Sequence, residues 1–426
     1  MIIKNFEKLA TSPLRRQALK IAEAGFAAVA TGPCVRKNFL FDRKKQQLKI
    51  LGQIFEIGQY KKIVCVGFGK AALEAVGEIR QILKDKISGG LVIDLKAGDL
   101  GNIVSRVGTH PHPSEANVLA TKEMVAMLEQ CGEEDLVICV SSGGGSALLC
   151  YPEELSLEQE TALIKALTKK GASISELNTV RKHISKVKGG GLAKIIYPAS
   201  CISLIFSDVP GDDISMVASG PTVKDESQAQ DAALVLKKYD ALSMCELPSC
   251  KLSETPKEGK YFSKVRNILF VSGGNALKAM REAAENLGFE VKIFSKSFQG
   301  EAKLLGPEIV KANRSGQCLL GAGESTVKIT GAGKGGRNQE MALAALDVLG
   351  ENQVLACLAS DGHDNTEAAG AIVDAFTLKK AKSLGLDYKS FLEMNDSFNF
   401  FASVDDALNT GLTGSNVSDL VLCLKR

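Results

Sequence analysis

Tryptophan is absent from the 426-residue chain, and Phe and Tyr bring the aromatic share to only 5%. Single-stranded nucleic acid would find few flat rings to stack on. An excess of either charge is also missing. Lys and Arg number 52 against 49 Asp and Glu, a formal charge of +3. So even a balance makes no electrostatic case for nucleic acid or an anionic membrane as partner. No C-x-x-C occurs among the 11 Cys, and no Cys/His pair has zinc-finger spacing. Several Cys lie in apolar runs, such as Cys65 in IVCVG and Cys139 in LVICVSS. They read as small buried hydrophobes in a reducing cell. No apolar run reaches the ~18 residues of a membrane span. The opening stretch MIIKNFEKLATSPLRRQALK carries both charge signs and no long apolar core, so it is not read as a signal peptide. The expected compartment is the cytoplasm. A 45% hydrophobic and 24% charged composition excludes whole-chain disorder or fibre.

Glycine, at 41 residues, is plentiful and clustered. KKIVCVGFGK (61–70) reads as a buried strand entering a glycine turn, and AALEAVGEIRQILK then has helical spacing. GGLVIDLK, DLVICVSSGGG, CISLIFSDVPGDD, NILFVSGGNAL and VLACLASDGHDN repeat the form. Short β-branched runs alternating with helices predict an α/β fold around a largely parallel sheet covered on both faces. At about 100–200 residues per domain the length suggests two. The polar stretch 246–264, with two Pro, is the best candidate for a linker or exposed excursion. The expected domains are therefore 1–245 and 266–426, with a linker over about 246–265.

The first glycine turn runs Gly67-Phe68-Gly69-Lys70-Ala71-Ala72, a G-x-G-x-x-A between a strand and a helix, with Asp94 ending the next strand. That is the form of a dinucleotide fingerprint. A second G-x-G-x-x-G occurs at Gly331, Gly333 and Gly336. For each alone, tight strand–helix turns explain the glycines as well as a nucleotide does. Lys70 lies in the turn beside a helix N-terminus, where a point charge suits an anion. The loop Ser141-Ser142-Gly143-Gly144-Gly145-Ser146 offers N–H groups and hydroxyls at another helix start, a cradle for phosphate or carboxylate. Arg181, Lys182, Lys186 and Lys188 put four cations within eight residues before Gly189-Gly190-Gly191. They form either an exposed basic helix or a source of charge for an anionic ligand. Asp208, Asp212 and Asp213 follow a strand, as do Asp361 and Asp364. Such turns suit either Mg²⁺, which takes one or two carboxylates plus phosphates, or helix capping. Arg337, Asn338 and Glu340 open a helix behind Gly335 and Gly336. An Arg there opposes the dipole unless it forks onto an anion. Cradles, carboxylates and cations together fit phosphoryl transfer better than hydride transfer.

The stretches VSSGGGSALL, LNTVRKHISKVKGGGLA, SDVPGDDISMVASGPTV, GAGKGGRNQEMAL, SDGHDNTEAAGAIVD, NDSFNFF and TGLTGSNVSDLVL resemble, in order and over nearly the whole chain, the glycerate 2-kinase family. GGRNQE with the later TGxTGxNVxDL marks that family's C-terminal domain, of the MOFRL type. The resemblance implies phosphorylation of D-glycerate by ATP with Mg²⁺, usually to 2-phosphoglycerate. It implies a Rossmann-like N-terminal α/β/α domain, a smaller α/β C-terminal domain and an active site in the cleft between them. The family's suggested active-site Lys and Arg fall on Lys70 and Arg337. Three positions depart from the common pattern: Gly191 for Arg, Leu412 for Pro, and His363 with its short following segment.

The expected roles follow. Lys70, Arg337 and Asp208 are catalytic. Gly69, Ser142, Gly143, Gly144, Gly145, Ser146, Arg181, Lys188, Asn338 and Glu340 bind substrate or nucleotide. Asp208, Asp212 and Asp361 hold Mg²⁺. The partners are D-glycerate and ATP, with no nucleic acid or membrane, and a homodimer is allowed. A nicotinamide-dependent hydroxypyruvate reductase and a non-catalytic metabolite-binding protein are the rival readings.

Overall fold

The structure is a computed structural model that describes residues 1–209, 211–245, 247 and 249–426. Two compact units emerge. One comprises Val35–Ser207 and Asp213–Phe270. The other comprises Met1–Cys34, Asp208–Asp212 and Val271–Arg426.

The first unit is built on six strands: β1 (Lys62–Phe68), β2 (Ile87–Asp94), β3 (Ile103–Val107), β4 (Asp135–Ser141), β5 (Ser200–Phe206) and β6 (Val265–Val271). Their order is β3-β2-β1-β4-β5-β6. The first five are mutually parallel. Every residue of β4 is buried, and every residue of β1 except Lys62. Continuous apolar runs are what a sheet covered on both faces requires. Val64, Val66, Val137 and Cys139 pack with Met124, Leu128, Leu192 and Ile196 from the covering helices. Strand order reverses between β1 and β4. The loops leaving these strands therefore open at a topological switch point, the place where open α/β sheets bind ligands. A separate antiparallel trio, Phe39–Asp42, Gln47–Ile50 and Gln53–Glu56, precedes the sheet.

The second unit has β7 (Glu290–Glu301), β8 (Gln317–Thr326), β9 (Gln353–Ala359), β10 (Gly370–Asp374), β11 (Ala407–Leu408) and β12 (Asp419–Lys425), in the order β7-β8-β12-β9-β10-β11. Only β7 and β8 are parallel; the other neighbours are antiparallel. The parallel expectation thus holds for the first of the two six-stranded sheets and not for the second. The last strand, β12, inserts between β8 and β9 and runs against both. An apolar run such as VLACLA looks the same in either direction.

The units differ from the division expected at 246–265. Val265–Val271 is an apolar strand and completes the first sheet. The polar stretch before it is an excursion of that unit. Thr255, 5% exposed, donates to Asp225 Oδ2 at 3.1 Å, and Lys257 Nζ donates to the Asp225 carbonyl at 2.8 Å. Glu246 and Pro248 of the expected linker lie outside the described residues.

Residues 1–34 join the second unit. Helix Pro13–Val29, capped by Ser12 on the Arg15 N–H, packs against helix Gly273–Asn286, with Gly25 against Met280. Its Arg15 is 2% exposed. Arg15 donates from Nε to Asp374 at 2.7 Å, from Nη1 to Asp406 at 2.6 Å and from Nη2 to Thr377 at 2.8 Å. Among the described residues, no single helix is long and apolar enough to cross a membrane.

Candidate functional site

At the switch point of the first unit, the turn after β1 and the loop after β4 are stitched together. The Lys70 N–H donates to the Gly143 carbonyl at 2.9 Å, the Ser142 N–H to the Phe68 carbonyl at 3.1 Å, and the Ala71 N–H to Ser142 Oγ at 3.1 Å. Gly69, at φ +115°, lies so close to Ser142 that any side chain would collide with it. Ser142 is therefore a structural tie, and the cradle proper is Gly143 to Ser146. The N–H groups of Gly143 and Gly144 have no hydrogen-bond partner among the described residues. The Lys70 side chain is exposed and likewise without a hydrogen bond or ion pair among the described residues. A methyl group on Gly144, at φ +80°, would sit 3.2 Å from Lys70 Cγ and Cε and from His110 Cδ2. Lys70 and His110 thus flank one point above the cradle. Partial desolvation, and then the Lys70 charge, push the His110 imidazole down to about 4. It is neutral at ordinary pH, so of this pair Lys70 supplies the positive charge. Ser146 Oγ meets Ser219 Oγ at 3.0 Å, and Ser219 in turn donates to Asn178 at 2.7 Å.

Asp94 has another task. Its Oδ2 accepts the Leu73 N–H at 2.9 Å and its Oδ1 the Leu95 N–H at 2.6 Å. The carboxylate, 4% exposed and pushed up by burial, secures the start of helix Ala72–Leu83. The group that a dinucleotide would need for its ribose is spent on the backbone.

The basic run divides. Lys188, 2% exposed, pairs with Glu160 at 3.5 Å, and Lys182 pairs with Asp225 at 2.9 Å. His183 Nδ1 and Nε2 meet the Ser253 carbonyl at 2.8 Å and Ser227 Oγ at 3.1 Å. These are internal ties. Arg181 is half-buried, with no hydrogen bond or ion pair among the described residues, and burial pulls its guanidinium below the usual arginine range. Arg181 keeps donors to spare, as does the exposed Lys186, whose Nζ lies 4.8 Å from the centre of the Tyr151 ring.

In the second unit, a cavity of about 700 Å³ is lined by Arg337, Glu340, Asp361, Asp364 and Asp419, with Ser360 and Ser418 among their neighbours. Four carboxylates and one guanidinium are thus among its lining. Arg337 donates from Nε to Asp419 Oδ2 at 2.6 Å and from Nη2 to Asp419 Oδ1 at 3.1 Å. Its Nη1 pairs with Glu324 at 2.7 Å. Burial pushes the Asp419 carboxyl up to about 7, against the opposing pull of Arg337 and Asn338. Asp364 caps helix Arg337–Ala345 by accepting the N–H groups of Asn338 at 3.0 Å and Gln339 at 2.8 Å. Asn338 Nδ2 reaches Asp364 at 3.1 Å and Asp419 at 2.9 Å. Glu340, 2% exposed and pushed up by burial, accepts from Asn395 at 2.9 Å. Asn338 and Glu340 therefore shape the cavity wall.

The second glycine array is a packing device. Side chains at Gly331 and Gly333 would strike the backbone of Met394 and Asp396, and one at Gly336 would strike Asp364. Of the expected metal carboxylates, Asp361 lines the cavity and takes on Oδ1 the N–H of His363 at 2.9 Å. The Asp208 carbonyl accepts from Ser418 Oγ at 2.8 Å, which ties that turn to the cavity wall. Asp212 Oδ2 lies 3.5 Å from where a Cβ on Gly274 would be, beside the start of helix Gly273–Asn286. A carboxylate there is favoured by the helix dipole. Pro210, within the same turn, is outside the described residues. The sequence offered no signal for His110, Glu324 or Asp419 beyond the last one's place in the TGxTGxNVxDL block.

Residues 17–249 match the family described as a domain of unknown function, DUF4147, and residues 317–419 match the MOFRL family. The D-glycerate 2-kinase of Thermotoga maritima is 38% identical over 383 residues, 85% of this chain and 90% of that protein. The crystal structure of a glycerate kinase from Thermotoga maritima covers 96% of this chain and 99% of its own, with a TM-score of 0.84 and 33% identity. The chain belongs to the glycerate 2-kinase family. A further relative, from Agrobacterium vitis, 35% identical over 84% of this chain and 86% of its own, is provisionally named a hydroxypyruvate reductase.

Glycerate 2-kinase family membership directs attention to the fit of ATP and Mg²⁺. The paired free N–H groups of Gly143 and Gly144 beside Lys70 suit an anionic oxygen. Ser325, in the lining of the second unit's cavity, has a buried Oγ without a hydrogen-bond partner among the described residues, and Glu340 Oε1 has none beyond an ion pair with Lys303 at 3.9 Å. Natural structures rarely leave such atoms unmatched unless a ligand or water meets them. The acidic excess there fits a nucleotide carried with a cation better than a bare anion. Among the described residues no three His, Cys, Asp or Glu side chains are placed to hold an ion. A nucleotide-bound Mg²⁺ needs only one or two carboxylates, and Asp361 has the acceptor capacity.

Gly144 provides a direct test of the cradle. Gly144→Ala puts a methyl between Lys70 and His110 and strains a left-handed residue, a cost of roughly 1–2 kcal/mol. The expected result is a folded protein with kcat/KM reduced about 10- to 100-fold. Steady-state kinetics beside a thermal melt would check it, and wild-type kinetics would count against the cradle.

Proposed function

We propose that this chain transfers the terminal phosphoryl group of ATP to the C2 hydroxyl of D-glycerate, giving ADP and 2-phosphoglycerate. The observation that carries this reading is the pair of N–H groups at Gly143 and Gly144 beside Lys70, all without a partner among the described residues, at the switch point of the parallel sheet. Phosphoryl transfer asks a protein for positioning and charge stabilisation more than for covalent chemistry. Lys70 with the 143–146 loop holds one anionic group. Arg337, aimed by Asp419, holds another. Asp208 orients the glycerate hydroxyl, whose oxygen forms the new bond to phosphorus. The bond from phosphorus to the bridging oxygen of ADP breaks, and the hydroxyl proton is released. Mg²⁺ on the nucleotide would neutralise phosphate charge, with Asp361, Asp208 and Asp212 as the carboxylates nearest in kind to its needs. The enzyme acts on small molecules and needs neither nucleic acid nor membrane.

Asp94 weighs against the reductase reading, because its carboxylate is occupied by backbone N–H groups. A paired assay on purified protein tests both. One tube holds ATP, Mg²⁺ and D-glycerate, with the product identified as 2- or 3-phosphoglycerate. The other holds NADH and hydroxypyruvate. ADP and 2-phosphoglycerate in the first tube alone are expected. NADH consumption in the second alone would sink the kinase reading.

A further inference from the structure

Arg337 is gripped by two carboxylates of unlike character. Asp419, at the start of the inserted strand β12, is 1% exposed, binds the guanidinium through two donors and accepts a third bond from Asn338. Glu324, near the end of β8, is 45% exposed and makes a single contact through Nη1 at 2.7 Å. With both in place the guanidinium is fully countered. Asp361, Asp364 and Glu340 add further negative charge to the same cavity. These contacts take three of the five guanidinium N–H donors, and a substrate anion approaching the others meets this negative charge, which falls when one carboxylate yields. Removing Asp419 from the guanidinium would leave a buried carboxylate without its cation, which is strongly unfavourable. Releasing Glu324 costs little, because its carboxylate returns to water.

We propose that Glu324 is an exchangeable counter-ion that a substrate anion displaces from Arg337, and that Asp419 is the fixed positioning residue that keeps the guanidinium aimed. The proposal rests on the reading of Arg337 as an anion-binding group. It adds a competing residue that no sequence motif marked. It also gives opposite signs to two carboxylates on one side chain: losing Glu324 tightens binding, whereas losing Asp419 slows turnover.

The test compares Glu324→Gln, Glu324→Asp, Asp419→Asn and Arg337→Met, with KM for ATP and for D-glycerate measured separately from kcat. An exposed ion pair is a weak competitor, so Glu324→Gln should lower the KM of one substrate by roughly 2–5-fold, a change larger than any in kcat. Glu324→Asp keeps the charge but shortens the reach to Nη1. It should lower the same KM, which separates competition for the guanidinium from a general charge effect. Asp419→Asn should reduce kcat by about tenfold or more, with a smaller change in KM. If that variant does not fold, the two Glu324 variants still decide the matter. Unchanged or raised KM values in both Glu324 variants, with Arg337→Met inactive, would overturn the displacement and leave the kinase reading intact. Wild-type turnover in Arg337→Met would overturn the anion-binding role of Arg337 and the proposal with it.

Discussion

Lys70→Met is expected to lower kcat about 100- to 1,000-fold without changing the fold. The magnitude is that of losing one preorganised group aimed at developing charge. Among the described residues Lys70 is the charged group that flanks Gly144, since His110 on the other side is neutral. The fold should survive because the side chain is exposed and makes no internal bond among the described residues. Substitutions of that kind stay within about 0.5 kcal/mol. Lys70→Arg should restore only part of the loss, since a planar fork does not reproduce a compact ammonium over Gly144. Steady-state kinetics and a thermal melt on the same preparations would settle it. A Lys70→Met enzyme within a few-fold of wild type would remove this residue from the mechanism.

Arg15→Leu is expected to give the largest loss of stability, roughly 3–5 kcal/mol. The replacement leaves Asp374 and Asp406 buried without their cation, their side chains 4% and 8% exposed. Asp374 also caps helix Ala375–Ser383 through the N–H groups of Phe376 and Thr377, so the strain spreads into that helix. Adding Asp406→Asn to Arg15→Leu should recover part of the loss by deleting one uncompensated charge. Urea unfolding would measure both. An Arg15→Leu protein as stable as wild type would mean that these groups rehydrate or take up protons at little cost.

The sequence made the switch-point site readable because its determinants are local. Gly69, Lys70 and the 141–146 loop each sit directly after a strand, and glycine at a strand–helix turn carries a physical meaning by itself. Arg337 was legible for the same reason, as a cation misplaced at a helix start. What gave it meaning was not legible. Asp419 lies 82 residues away in the chain and Asp364 holds the same helix start from a third segment. Lys188 misled in the opposite direction, since charge density in a sequence does not say which charges are already paired with a carboxylate such as Glu160. The glycines at 331, 333 and 336 match a dinucleotide pattern letter for letter. They are required by the close approach of Met394, Asp396 and Asp364. Nothing in the sequence marked Arg15, because its partners come from the other end of the chain.

That last separation has a consequence for biosynthesis. Arg15 is translated 359 residues before Asp374, and the strand β12 that completes the second sheet comes later still. At about 5–20 residues per second, the N-terminal helix waits on the order of tens of seconds for its counter-charges. All of Val35–Ser207 and Asp213–Phe270 leaves the ribosome in that interval and can form its parallel sheet meanwhile. The helix Pro13–Val29 thus stays without its packing partner until helix Gly273–Asn286 follows it out, and Arg15 without its carboxylates for longer still.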